Sequence, residues 1–271
     1  MPNIDPTARV EDGAVIGDEA SIGPYCVVGR DVTIGAQCKL AAHVFVEGHT
    51  TIGPRTVVFP FASLGTAPQS LGYKGEPTRL EIGADCTVRE SVTMNRGTVE
   101  GGGVTKVGDR GYFMAYSHIA HDCHVGNSVI FANSAALGGH SVIGDHVFMG
   151  GLSAVHQHTR VGPQVMVGGG TGVLGDVIPY ALVNGRRGML EGLNVVGMRR
   201  RGFTAERLRV VRAFYHELFY GAGTFDQRLA DAIAQPPEDA AITEILDFIR
   251  AGTKRRLTLA RADIDPDVDG A

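Results

Sequence analysis

Ten histidines punctuate this 271-residue chain, and four of them stand where chemistry is conceivable. His118 and His121 lie in Ser117-His-Ile-Ala-His-Asp-Cys-His-Val-Gly126. His140 follows 19 residues after His121, and His156 follows 16 residues after His140. Imidazole changes its protonation near neutral pH, so a placed histidine can take a proton from a hydroxyl or an amine attacking a carbonyl. One such ring on a surface is ordinary. Several along one edge, beside small residues that leave the edge open, make a candidate site. His43, His49, His124, His146, His158 and His216 lack that alignment and read as solvated or packed rings.

The elements that would gather these rings are written in a period of six. Stepping by six from Ile4 meets Val10, Ile16, Ile22, Val28, Ile34, Leu40, Val46, Ile52, Val58 and Leu64. Four places after each aliphatic the residue is usually small, as at Ala8, Ala14, Ala20, Cys26 and Cys38. The phase breaks over residues 65–79, resumes at Ile82, Val88 and Met94, and stumbles at Glu100 and Gly101 to Gly103. It then runs from Val107 through Val173. Six fits neither a 3.6-residue helix nor a simple alternating strand. It fits a short strand and a tight corner, repeated, with the aliphatic and the small residue both turned inward. The 38 glycines suit many corners and would weaken a helical bundle.

The period predicts a repetitive β domain over residues 1–184, with a loop excursion at 65–79, followed by a linker and a helical domain over 185–271. Thr204 is placed to cap a helix through Tyr220, whose apolar face carries Leu208, Val211, Phe214, Tyr215, Leu218 and Phe219. Two further helices are expected over 226–234 and 239–251, separated by Pro236 and Pro237. The acidic, proline-containing tail from Ala262 is expected to be mobile.

Composition narrows the function classes. A net charge of −4 offers no general attraction to nucleic acid. The amino terminus shows no signal peptide, and no run approaches the roughly 20 apolar residues of a membrane span, so a cytoplasmic protein is expected. Cys26, Cys38, Cys86 and Cys123 all fall in the small inward slot without CxxC spacing. They read as core filler rather than as disulfides or metal ligands.

The six-residue pattern resembles the hexapeptide-repeat transferases. That resemblance implies an all-β left-handed parallel β-helix with 18 residues per turn and a C-terminal α-helical domain. On that footing His121, His140 and His156 fall near one corner of successive coils. A narrower resemblance rests on HIAHDCHVGN (118–127), LGGHSVIGD (137–145), AVHQH (154–158) and VMVGGGTGV (165–173). It extends to GEPTRLEIG (75–83), RGTVEGGGVTKVG (96–108) and GLNVVGMRRRGF (192–203). These segments resemble the UDP-N-acetylglucosamine O-acyltransferases of lipid A biosynthesis, over essentially the whole chain.

The resemblance implies a homotrimer with sites in the clefts between adjacent β-helices. It implies a 3-hydroxyacyl donor carried on the phosphopantetheine of acyl carrier protein, no cofactor of the enzyme's own and no metal. His121 falls on the family's general base, Asp122 is placed to orient it, and the Gly139 N–H matches the oxyanion donor. His118, His140, His156 and Gln157 match substrate contacts, and Asn194 and Arg200 match the nucleotide end. Gly169 matches the position that measures acyl length, with Arg187 a departure near the far end of that slot. Arg199, Arg200, Arg201, Lys254, Arg255 and Arg256 form basic clusters that suit either a solvated face or an acidic carrier protein. Ser70 and Gly72 stand where the family commonly has an aspartate and a lysine, with Lys74 nearby. That departure opens the 3-amino analogue of the sugar as an alternative acceptor.

Three rival readings have distinguishable signatures. The sister N-acyltransferase of the same pathway carries an extra amino-terminal domain, whereas the repeats here begin at Ile4. A β-helical carbonic anhydrase would need three histidines in a zinc-binding arrangement that this spacing does not match. A non-catalytic nucleotide-sugar binding module or scaffold would leave His121 without a role.

Overall fold

The computed structural model describes residues 1–252 and 255–260. Lys254 and the tail from Ala262 lie outside the described residues. Strands of mostly two residues stack into three parallel sheets of eleven, nine and eight strands. The chain visits the sheets in rotation. Asn3–Ile4 opens the first sheet, Arg9–Val10 the second and Val15–Ile16 the third, before Ser21–Ile22 returns to pair with the start. Ile4 thus faces Ile22, one coil of 18 residues later. The strands are short because a corner interrupts the chain every six residues.

Inside the coil the aliphatic column closes on itself. Ile22, Ile34, Ile52, Leu64, Ile119, Leu137 and Ile143 are buried, as are the small residues between them. Burial of each such side chain contributes about 1.5–3 kcal/mol. Ile4 is 41% exposed because it belongs to the terminal coil, beyond which no described coil stacks. The four cysteines are free and buried, and their thiols donate to carbonyls such as Ala41 O and Gly138 O. Burial pushes the Cys86 thiol up to about 11 and the Cys123 thiol up to about 12. They are packing residues.

Both breaks in the six-residue phase leave the coil at one corner, between the second and third sheets. The first runs from Ser63–Thr66 to Arg79–Ile82, and the second from Thr93–Asn95 to Val104–Val107. The two excursions are tied together where Arg96 Nη2 donates to the Tyr73 hydroxyl at 3.0 Å. On the coils that follow, this same corner carries Asp122, His140 and His158, at φ of 60°, 60° and 62°. Left-handed backbone is costly for residues with a Cβ. Here corner amides offset the cost by bonding to the coil before: His140 N–H to His121 O at 3.0 Å, and His158 N–H to Gly139 O at 2.9 Å.

The last parallel strand, Ala181–Asn184, turns through residues 185–188 into the antiparallel strand Met189–Leu193. Helix α1 (Val195–Arg200) follows at once, so much of the segment read from sequence as a linker is regular structure. Too few residues belong to either element for a period to show. Helices α2 (Ala205–Tyr220), α3 (Phe225–Ala234) and α4 (Ala240–Arg250) complete the chain, capped by Thr204, Thr224 and Asp239. The apolar face expected on α2 is buried. Arg160 fastens α4 to the coil, lying 4.2 Å over the Phe248 ring while its Nε donates to Asp176 at 2.9 Å. Beyond α4, residues 255–260 run back along the coil, bridging Leu257 to Asp176 and Ala260 to Leu190. No helix among the described residues is long and apolar enough to cross a membrane.

Candidate active site

Neighbours in sequence, His121 and Asp122 face each other because the chain reverses between them. The left-handed φ of Asp122 swings its carboxylate back, so that His121 Nδ1 lies 2.8 Å from Oδ2. The Asp122 side chain is fully buried, which would be costly for an unpartnered charge. It has two further donors from the second excursion: Thr98 N–H to Oδ1 and Thr98 Oγ1 to Oδ2, each at 2.7 Å. Below it, Thr105 Oγ1 accepts the Asp122 amide at 2.8 Å. A carboxylate oxygen can only accept, so His121 carries its proton on Nδ1 and keeps the Nε2 lone pair. Its side chain is 16% exposed at the corner, as a base facing a ligand requires.

Two glycines make room for this pair. A Cβ on Gly139 would lie 2.6 Å from His121 Cε1 and 2.9 Å from Nε2, so the ring rests directly against the Gly139 backbone. A Cβ on Gly101 would lie 2.0 Å from the Asp122 carboxyl carbon. The phase stumble at Gly101 is therefore a loop folded onto the carboxylate.

The other rings sort into two columns. His140 meets His121 edge-on, with centroids 5.1 Å apart, and its Nε2 lies 3.7 Å from Asp122 Oδ2. His158 stacks on His140 at 4.3 Å, with an 8° angle between the planes. The edge proposed from sequence, His121 to His140 to His156, is corrected: His158 is the residue one full coil beyond His140. A spacing of 16 falls two residues short of the turn, so His156 lies before the corner, on the column of Ala120 and Gly138. There Arg255 clamps it, with Nη2 2.7 Å from His156 Nδ1 and Nε 3.0 Å from Gln157 O. His118 bonds Thr93 Oγ1 through Nδ1 at 2.7 Å. Burial, assisted by the nearby His121, lowers its pKa and favours the neutral ring.

His121, Asp122 and His140 offer ligand atoms within 4.8 Å of one another, close enough for one cation. The Asp122 oxygens, however, already accept from Thr98 and His121, which suits a hydrogen-bonded acid–base pair.

Comparison with known proteins places this geometry. Residues 13–48 match the bacterial transferase hexapeptide model, and residues 176–258 match domain 2 of UDP-N-acetylglucosamine O-acyltransferase. The acyl-[acyl-carrier-protein]–UDP-N-acetylglucosamine O-acyltransferase of Azorhizobium caulinodans is 56% identical over 94% of each chain. That of Sinorhizobium fredii is 47% identical, again over 94% of each. The chain belongs to this acyltransferase family. The solved UDP-N-acetylglucosamine acyltransferase of Campylobacter jejuni is 35% identical, covers 96% of this chain and all of its own, and superimposes with a TM-score of 0.89. A structure from Acinetobacter baumannii gives 38%, 94%, 99% and 0.90 in the same terms. The fold is the left-handed parallel β-helix with a C-terminal helical region.

Other residues matched to the acyltransferase family lie elsewhere. Ser70 and Lys74 sit on the first excursion, at the His121 corner. Among the described residues neither hydrogen-bonds to His118, His121, His140 or His156; the Lys74 amide donates to Glu76 at 2.8 Å. Gly169 lies at the corner between the first and second sheets, and the turn 185–188, which contains Arg187, packs on Gly172 close by. Asn194 caps α1 through Gly197 N–H and donates to Gln164 O at 2.9 Å. With Arg200, Arg201, His146 and Val196 it lines a groove of about 660 Å³ on the first sheet. That groove and His121 face different sides of a single chain.

Sequence reasoning missed Thr98, Thr105, His158 and Arg255. Thr98 sits in an excursion where no repeat assigns it a direction. Thr105, an inward-slot residue, was legible only as core. Arg255 was grouped with a basic surface cluster, and its partner lies 99 residues away.

Proposed function

We propose that this chain transfers a 3-hydroxyacyl group from acyl carrier protein to the 3-position of UDP-N-acetylglucosamine, the first step of lipid A biosynthesis. The observation that carries the reading is the His121–Asp122 pair. Its buried, three-donor carboxylate leaves the His121 Nε2 lone pair at an open corner, in a chain of this family. His121 Nε2 takes the proton of the sugar hydroxyl as that oxygen attacks the thioester carbonyl. The negative oxygen of the tetrahedral intermediate meets the Gly139 N–H, which makes no hydrogen bond among the described residues. Collapse breaks the carbon–sulfur bond, and the imidazolium returns its proton to the departing phosphopantetheine thiolate. The enzyme needs no cofactor of its own in this scheme.

The groove of Asn194 and Arg200 supports a site shared between chains, one copy giving the His121 corner and a neighbour the nucleotide groove, within a cytoplasmic homotrimer. Arginine's forked donors suit a diphosphate. The purified protein, given 3-hydroxyacyl carrier protein and UDP-N-acetylglucosamine, is expected to form the 3-O-acyl product. His121→Ala is expected to abolish turnover while leaving the oligomer intact. Retained turnover in that variant would favour a binding module or scaffold.

Ser70 and Gly72 favour one further reading, N-acylation of the 3-amino analogue. Without the family's usual aspartate and lysine at these positions, the loop does not specify a hydroxyl. Turnover of both acceptors side by side decides it, and a clear preference for the hydroxyl rejects the amine.

A further inference from the structure

Two histidines at this edge are each gripped at Nδ1, but by partners of opposite character. Asp122 can only accept a hydrogen bond, whereas Arg255 can only donate. At His156 the ring nitrogen has two neighbours: Arg255 Nη2 at 2.7 Å and Gln157 O at 3.2 Å. The carbonyl would require a proton on Nδ1 and the guanidinium forbids one, because two N–H groups would then point at each other across 2.7 Å. The shorter contact decides. Gln157 O already accepts from Arg255 Nε at 3.0 Å, so a single guanidinium satisfies both acceptors.

We propose that Arg255 is a positioning residue that holds His156 as the tautomer protonated on Nε2, so that this exposed ring meets the substrate as a hydrogen-bond donor. His121 and His156 are then electronic opposites, one presenting a lone pair at Nε2 and the other an N–H. An N–H donor suits an oxygen that only accepts, a phosphate or carbonyl oxygen of the sugar nucleotide, and it cannot remove a proton. His156 is thereby barred from acting as a second base.

The reach of Arg255 depends on the segment that follows α4. Thr258 anchors that segment on the coil, its N–H donating to Asp176 O at 2.7 Å and its hydroxyl to Gly175 O at 3.0 Å. The Leu257 bridge to Asp176 lies beside it. Arginine differs from lysine here, because only a planar fork can serve a ring nitrogen and a carbonyl together. The end of the helical region therefore sets the chemistry of a side chain on the β-helix.

The kinetic part of the test rests on the acyl-transfer reading; the spectroscopic part does not. In full-length protein labelled with ¹⁵N-histidine, long-range ¹H–¹⁵N correlations distinguish the two neutral tautomers, and His156→Gln assigns the signal. His156 is expected protonated on Nε2 in the parent chain and exchanging between tautomers in Arg255→Ala. In turnover, Arg255→Ala is expected to raise the KM for the sugar nucleotide roughly tenfold, with kcat changing less than about threefold. Arg255→Lys should recover only part of that loss, and free guanidinium added to Arg255→Ala should recover more. Combined with His156→Ala, Arg255→Ala should add little further effect, since the two residues act as one unit. A parent His156 protonated on Nδ1, a tautomer indifferent to Arg255, or multiplicative effects in the double variant would each overturn the proposal. If the parent protein transferred no acyl group at all, the spectra would still decide it.

Discussion

The imidazoles of His140 and His158 lie face to face, 4.3 Å between centroids, because they occupy the same corner on consecutive coils. The stack presses the His140 ring into the plane from which its Nε2 looks toward Asp122 at 3.7 Å. An aromatic pair contributes about 0.5–1.5 kcal/mol beyond its buried area. His158→Ala should therefore lower kcat/KM by roughly 3- to 10-fold, whereas His158→Phe, which keeps a flat ring, should stay within about twofold. Steady-state kinetics on both variants check this, and equal losses in both would show that the stack is not what matters.

Gly139 offers a sharper test of the base. The added methyl of Gly139→Ala would sit 2.6 Å from His121 Cε1, and the ring has to move away to accept it. Position 139 lies outside the left-handed corner backbone, so alanine brings no conformational strain there. Turnover is expected to fall about 100-fold or more while the melting temperature changes little, since a small misplacement of a reacting group costs that much. A full-activity variant would mean that the ring's position against this backbone is unimportant.

The stacking of His158 was hidden by a matter of two residues. The aliphatic heads from Ile22 to Val173 and their small partners announce the coil because every turn repeats them. A corner residue is announced only by counting a full turn, and a separation of 16 resembles 18 closely enough to mislead. Asp122 was legible because it adjoins His121, although its facing direction depended on a backbone φ that the letters do not state. Thr98 and Arg255 were not legible in the same way. Both act from segments that leave the repeat, one by excursion and one by returning after α4, so no period relates them to what they touch.

Removal of metal tests the reading of His121, Asp122 and His140. The three converge within 4.8 Å, but the carboxylate's oxygens are taken up by Thr98 and by His121. Extensive treatment with a chelator should leave the rate of acyl transfer unchanged. Loss of activity that zinc restores would move the site into metal chemistry of the carbonic anhydrase kind.

Stability should depend on pH through two other histidines. Burial is the main cause lowering the pKa of both His118 and His146, helped by His121 in the first case and Arg201 in the second. A ring whose folded pKa lies below its unfolded value of 6.5 binds protons more readily when the chain unfolds. Stability from these two is therefore fully present above the unfolded value and is lost as pH falls through it toward the folded values. Melting temperatures should be flat from about pH 8 to 7 and decline below about 6.5, and His118→Gln should remove part of the decline. A decline on the alkaline side alone would contradict the burial of these rings.

The strongest consequence of the corner concerns a single atom of Asp122. Asp122→Asn keeps the size of the side chain and lets Oδ1 go on accepting from Thr98 N–H, but it places an NH₂ where Oδ2 stood. That group donates toward His121, which must then accept on Nδ1 and carry its proton on Nε2, the wrong side for a base. Turnover should fall by about 10³- to 10⁴-fold with the fold retained, the cost seen when a catalytic histidine is forced into the wrong tautomer. Thr98→Val removes only one donor and leaves the tautomer alone, so its loss should be nearer tenfold, the worth of one hydrogen bond to a charged group. The ordering of the two variants is the informative measurement. If Thr98→Val proved as damaging as Asp122→Asn, the carboxylate would be serving to hold the loop in place, and some group other than His121 would be taking the proton.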